Sequence, residues 1–192
     1  MDSPLAQLLR IFVSPEGSTW AAYDSATAVT WRDQAPAAAA DTSALNASHR
    51  REGKLLLTGF PDAQLPNGEV GASAGSRSGN EGEAGVTLFG SAESVQSFAV
   101  MKFYPSDDYP QILGKQFSGN VAIQLIASDC GDDAPDPEAR QFFQLRLPSA
   151  GTAYVEAYVD AEGGKYSPGS TTFEFYRIAP VDRIQKFGCQ KQ

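Results

Sequence analysis

Four apolar-alternating runs in the C-terminal third of the chain constrain its fold more than any other feature. They span residues 121–127, 141–147, 153–159 and 171–178. In the third run, valine and alanine residues alternate with Tyr154, Glu156 and Tyr158. Because successive side chains on a strand point to opposite faces, this period of two predicts half-buried strands rather than helices. Short links rich in Gly, Pro and Asp join the runs, which indicates an antiparallel meander.

The rest of the chain predicts further strands and two short helices. Ser3 and Pro4 precede apolar residues at helical spacing, which predicts a helix over 4–12 that packs on the sheet. A second helical turn is expected near 106–113. Further strands are predicted over 19–23, 28–31, 54–60, 86–89 and 95–104. About nine strands in one chain predict a mainly β fold, an antiparallel two-layer sandwich or open barrel with one or two short helices.

A length of 192 residues predicts a single β-rich domain over residues 1–192. Two irregular excursions are expected, at about 33–53 and 68–85, because these stretches lack apolar periodicity. The second is rich in Gly, Ser and Glu, yet its glycines fit neither phosphate-binding pattern. No nucleotide or other cofactor is therefore predicted.

The net charge limits the classes of partner. The chain carries 15 Lys and Arg against 23 Asp and Glu, giving a formal charge of -8. Nucleic acids and anionic membrane surfaces need clustered positive charge, so neither is expected as a partner. An acidic chain is compatible with a basic protein partner or a cation. No run is long enough to predict a membrane span.

Two cysteines, each just after a run, predict a disulfide. Cys130 follows the first run and Cys189 follows the last, so both could lie at the same edge of the sheet. A bridge between them would stabilise the fold by about 4 kcal/mol; two free thiols are the alternative. A disulfide implies an oxidising compartment, so we expect a periplasmic or secreted protein. The N-terminus lacks the pattern of an export signal. We expect that such a signal has been removed from this sequence.

The residues available for catalysis are few. His49 is the only histidine and stands beside Arg50 and Arg51, which predicts a solvated loop side chain. A Ser-His-Asp or Cys-His mechanism would have to use it, and zinc needs more His or Cys ligands than the chain offers. We therefore predict a non-enzymatic protein with no catalytic residue and no metal. A carboxylate hydrolase using Glu156 or Glu174 is a third hypothesis.

Two surfaces are candidates for binding. Asp132 and Asp133 belong to an acidic loop beside Cys130, which suits a protein-docking patch or a calcium ion, although the spacing is not that of an EF-hand. Tyr154, Glu156 and Tyr158 project from one strand face and form an aromatic-rich patch if that face is open. In the alternative, a second sheet or the long loops cover it.

The leading hypothesis is a non-enzymatic, exported bacterial binding protein that captures or inhibits another protein. Inhibitors and toxin-neutralising immunity proteins act in this way. The alternative is a glycan- or cell-surface-binding β-sandwich module, which predicts that Trp20, Trp31 or tyrosines in a line are exposed; otherwise the two tryptophans are expected in the core. The missing catalytic groups, the acidic charge and the predicted disulfide favour the first hypothesis.

Overall fold

The computed structural model describes residues 3–38, 47–57, 82–102, 108–117, 121–129, 140–148, 151–160 and 169–189. Its helices are α1 (Pro4–Val13), α2 (Tyr109–Gln116) and α3 (Val181–Phe187), with 3₁₀ turns at Glu16–Ser18 and Trp20–Tyr23. Its strands are β1 (Val29–Trp31), β2 (Ala37–Ala38), β3 (His49–Leu56), β4 (Glu83–Gly90), β5 (Val95–Lys102), β6 (Ala122–Asp129), β7 (Arg140–Leu147), β8 (Gly151–Asp160), β9 (Ser170–Tyr176) and β10 (Gly188–Cys189).

All ten described strands belong to one antiparallel sheet. Its order is β1-β3-β4-β5-β9-β8-β7-β6-β10, and β2 pairs with β3 outside this path. The predicted mainly β, antiparallel class is therefore confirmed. The described strands form one continuous sheet with β1 and β10 at its ends.

The predicted meander is the C-terminal half of this sheet. Strands β6, β7, β8 and β9 pair with one another in sequence order. Val155 lies directly between Phe143 and Phe175, and all three side chains are buried. The period of two in the sequence thus places one residue set of each strand in the core.

Helix α1 covers the core face of the sheet, as the sequence predicts. The Ser3 hydroxyl accepts a hydrogen bond from the Ala6 amide at 3.1 Å, and Pro4 occupies the first turn. Its apolar side packs into the core, with Phe12 edge-on to Phe98 at a centroid distance of 5.0 Å. Phe98 in turn stacks on Phe175 at 4.4 Å. A large aromatic cluster therefore joins α1 to the middle of the sheet.

The prediction of a strand over 19–23 is wrong. Residues Trp20–Tyr23 form a 3₁₀ turn, which has three residues per turn and so sets Trp20 and Tyr23 on the same side. Both are buried; Trp20 Nε1 donates to the Ser91 carbonyl at 3.0 Å and the Tyr23 hydroxyl donates to the Gly17 carbonyl at 2.7 Å. These tertiary contacts outweigh the local strand pattern.

Two further segments differ from the expected boundaries. Strand β3 begins at His49, so the strand predicted over 54–60 starts earlier and overlaps the expected excursion over 33–53. Helix α3 was not predicted at all. Among the described helices, none is long and apolar enough to cross a membrane.

Candidate functional site

Charged and aromatic side chains gather on the sheet face opposite the core. Cross-strand partners point to the same face, and Glu156 of β8 pairs with Glu174 of β9. Two residues away along each strand, and so on the same face, Tyr154 pairs with Tyr176. On the other side of β8, Arg140 of β7 pairs with Tyr158. The register therefore brings two carboxyl groups, an arginine and three tyrosines onto one face.

Glu156 is the centre of this cluster. Its side chain is 0% exposed. Arg183 of α3 donates from Nε to Oε2 at 2.6 Å and from Nη2 to Oε1 at 2.7 Å, a bidentate ion pair. The Tyr176 hydroxyl donates to Oε2 at 3.1 Å, and Arg140 forms a second ion pair with Oε1. Three side chains from β7, β9 and α3 therefore satisfy one buried carboxylate.

The guanidinium group of Arg140 is held between two aromatic rings. It lies 4.4 Å from the ring centroid of Tyr158 and 4.3 Å from that of Phe187, at the end of α3. Arg183 and Phe187 are four residues apart, so both project from the same side of the helix. None of the seven residues of α3 is itself buried. The helix is therefore fastened by Glu156 and Arg140 rather than by an apolar face.

The second carboxyl group, Glu174, has an unusual environment. It is 5% exposed, and burial together with the neighbouring Glu156 carboxylate raises its pKa. Burial and the charge of Glu174 also raise the pKa of Tyr158 and of Tyr176. For Arg183, burial lowers the pKa but the ion pair with Glu156 raises it by more. The cluster thus favours protonation of Glu174.

A paired carboxyl site with one raised pKa is what a carboxylate hydrolase requires. Glu156 and Glu174 meet the requirement of proximity, since they are cross-strand partners. Both are buried, however, and Glu156 is occupied by its arginine and tyrosine donors. A substrate could reach the pair only if α3 moved away.

The three residues of β8 that are predicted to bind a partner differ in their exposure. Tyr154 and Tyr158 are half-buried, whereas Glu156 is inaccessible because Arg183 and Arg140 close over it. Among the described residues, helix α3 covers the centre of this patch, through Arg183 on Glu156. Tyr154 keeps a polar neighbour, since Gln144 Nε2 donates to its hydroxyl at 3.4 Å.

The predicted acidic loop and half of the predicted disulfide lie outside the described residues. These are Asp132, Asp133 and Cys130. The backbone of Cys189 is described and pairs with Ser128, two residues before Cys130 in the sequence. Because Cys130 lies outside the described residues, the disulfide stays a prediction.

The remaining candidates occupy structural positions. His49 starts β3, with Nδ1 3.0 Å from the Ser48 hydroxyl, so it lies on a strand rather than in the predicted loop. Trp31 is half-buried, donates to the Tyr23 carbonyl at 2.9 Å and has the Arg51 guanidinium 4.6 Å from its ring centroid. Within the described part of the chain, no group of His, Cys, Asp or Glu is arranged to hold a metal ion.

Several members of the cluster were missed by the reasoning from sequence. They are Arg140, Tyr176, Arg183 and Phe187. The available signal was weak: Pro180 precedes a short segment in which Arg183 and Phe187 have helical spacing. Nothing in that spacing indicates which strand faces the helix.

Large apolar side chains are exposed next to this cluster. Ile178, in the link between β9 and α3, is 80% exposed, and Val181, the first residue of α3, is 52% exposed. Arg177 fixes the start of the link, because its guanidinium lies 4.2 Å from the Phe12 ring centroid and donates to the Ser14 carbonyl at 3.4 Å. The exposed pair therefore stands between two anchored arginines, Arg177 and Arg183.

Comparison with known proteins gives no relative. No protein family, no curated protein and no solved structure matches this chain.

Proposed function

We propose that this chain is a non-enzymatic protein that captures or inhibits another protein through a surface centred on α3. The observation that carries the proposal is the exposed apolar pair Ile178 and Val181 on a segment fixed by the buried ion pair of Arg183 with Glu156. Single exposed apolar residues are ordinary on protein surfaces. Two large ones within four residues, held in place, are what a partner-binding surface needs.

The way α3 is fastened supports this interpretation. A seven-residue helix is too short to be stable on its own, and this one buries no residue in the core. The ion pair of Arg183 with Glu156 and the packing of the Phe187 ring on the Arg140 guanidinium hold the helix in place. Both arginines lose solvation in these contacts, which costs free energy. Holding a surface rigid before association reduces the ordering entropy lost on binding. A binding surface on α3 would therefore explain why the charge cluster fixes a helix that buries no residue in the core.

The neighbouring side chains also suit a protein contact. Tyr154 pairs with Tyr176, two residues before Ile178, and its half-exposed ring is linked through Gln144 to the exposed Arg146. Tyrosine and arginine contribute large contact areas and directional hydrogen bonds at interfaces. The net charge of -8 would attract a basic partner during encounter.

The proposed site of action is periplasmic or extracellular. It is supported by the two cysteines, each just after a run of the meander, and by the register that brings Cys189 beside Ser128. An oxidising compartment would allow them to form a lasting bridge.

A capture experiment with matched variants tests the function. The immobilised, oxidised protein is exposed to extract and secreted fraction of its source, and bound proteins are identified by mass spectrometry. We expect one stoichiometric protein to be retained by the wild type and by the control Leu56→Asp, since Leu56 is 49% exposed on the distant strand β3. The double variant Ile178→Asp/Val181→Asp should lose it. Equal retention by all three forms would refute the proposed surface.

The glycan-binding and hydrolase hypotheses have less support. Trp20 is buried and Trp31 is half-buried, so neither offers a fully open ring for stacking on a sugar. Tyr154 and Tyr158, both half-buried, are the tyrosines that would have to serve. The hydrolase hypothesis gains the Glu156 and Glu174 pair but lacks access to it while α3 is in place. Recovery of polysaccharide alone in the capture experiment would favour the glycan hypothesis over our proposal.

A further inference from the structure

Strand β6 keeps an open edge along most of its length. On one side it pairs with β7 from Ala122 to Ser128. On its other side, β10 pairs only with Ser128 and Asp129. Within the described part of the chain, the stretch from Ala122 to Leu125 has no strand on that side. Open edges are recognised by other chains through main-chain hydrogen bonds.

We propose that this edge binds an extended segment of the partner protein by antiparallel strand addition. The proposal rests on the proposed function and specifies how the partner is held. In an antiparallel ladder, alternate residues direct both their N–H and C=O groups to the same side. Strand β7 takes one set along β6, and the other set faces outward, where no strand of the described residues pairs with Ala122–Leu125.

Strand β10, a two-residue strand of the same chain, already pairs with one end of this edge. Gly188 and Cys189 already pair with Asp129 and Ser128, antiparallel to β6 and on its outer side. A partner segment along Ala122 to Leu125 would continue this line at the other end of the strand. Because α3 leads directly into β10 and lies against β6, the partner bound there would also reach the exposed surface of α3.

The side chains of β6 specify the chemistry of the segment. Ile123 and Leu125 oppose the buried Leu145 and Phe143, and Leu125 is still 39% exposed, so the core is incomplete at this edge. Residues of the partner on this side would therefore be apolar. On the opposite face, Ala122 lies beside the exposed Arg146. The intervening residues of the partner would be polar or acidic.

Two features indicate that the added strand is short and comes from a different protein. The register of β6 with β7 shifts between Leu125 and Ala127, and such a bulge interrupts regular pairing beyond Leu125. The available length is then about four residues, too short for extensive aggregation. Two copies of this chain would each bring a net charge of -8, which disfavours pairing of β6 with itself.

A labelled peptide tests the inference on the isolated protein. The probe is a synthetic seven-residue peptide with valine at alternate positions and glutamate or threonine between them. Binding is measured by fluorescence anisotropy, and its location by changes in amide NMR signals. We expect changes at Ala122–Leu125 and binding at least about tenfold weaker for Leu125→Lys, since a charge would replace an apolar contact. The control Leu56→Lys, on the distant strand β3, should bind like the wild type.

Four results would overturn the inference. They are absence of peptide binding, amide changes confined to other strands, binding that appears only after residues 190–192 are removed, and a wild-type dimer in sedimentation that Leu125→Lys dissociates. The third would assign the edge to the chain's own C-terminus, and the fourth would assign it to a second copy. The capture experiment depends on α3 and not on this peptide, so either proposal can fail alone.

Discussion

Replacing Glu156 by glutamine is the most direct perturbation of the charge cluster. The variant keeps the shape of the side chain but removes the charge that Arg140 and Arg183 share. Breaking a buried ion pair by removing one partner costs about 3–5 kcal/mol, since the remaining charge is left without compensation. Arg183 is 21% exposed and can turn towards water, which favours the lower end of that range. We therefore expect Glu156→Gln to lower the free energy of unfolding by about 3 kcal/mol.

Urea denaturation measures this loss directly. For a chain of this size, a loss of about 3 kcal/mol also lowers Tm by about 6–12 °C. Hydrogen exchange should show that α3 loses protection before the strands do, because the helix has no buried residue of its own. The matched control is Glu174→Gln, which changes the neighbouring carboxyl but leaves both arginines paired. If Glu156→Gln were as stable as the wild type, or if Glu174→Gln were the more damaging change, our account of the cluster would be wrong.

Three further predictions concern pH, the core and the cysteines. The pKa of Glu174 in the folded protein is raised above its ordinary 4.5, so folding favours the protonated carboxyl and the ionised carboxylate destabilises the fold as pH rises through the folded pKa. Glu174→Gln should therefore stabilise the fold at pH 7 and lose this advantage near pH 4, as measured by urea denaturation at both pH values. Phe98→Ala should cost about 3–5 kcal/mol, because Phe98 is fully buried between Phe12 and Phe175, and Phe98→Leu should cost less. The non-reduced protein should be lighter than the reduced protein by two hydrogen atoms, and Cys130→Ser/Cys189→Ser should lose up to about 4 kcal/mol of stability; two free thiols in the native protein would contradict the disulfide.

Local pattern was enough to predict the meander and α1. Along β8 the alternation is set by which side chains enter the core, so Val155, Ala157 and Val159 could be assigned from sequence alone. The start of α1 follows equally from local chemistry, because Ser3 and Pro4 act on the first turn of their own helix. These features depend on neighbours in the sequence.

The charge cluster depends on neighbours in space and could not be predicted in the same way. Glu156, Arg140 and Arg183 belong to three separate elements, and only the fold brings them together. The sequence correctly set Glu156 on the face opposite the core, but an alternating pattern says nothing about what covers that face. A short helix without a buried side has no apolar periodicity to detect, which explains why α3 was missed. The turn at Trp20–Tyr23 was mistaken for a strand for a related reason, since distant hydrogen bonds fix it.

A hydrogen-exchange footprint of the captured complex distinguishes the α3 surface from any other contact surface. The protein is compared alone and with its captured partner, so that the contact surface is read from the backbone amides. We predict new protection over 177–187, around Ile178 and Val181, and along the open edge of β6. Protection confined to strands far from α3, such as β1 and β3, would contradict the claim that this protein binds its partner through the α3 surface.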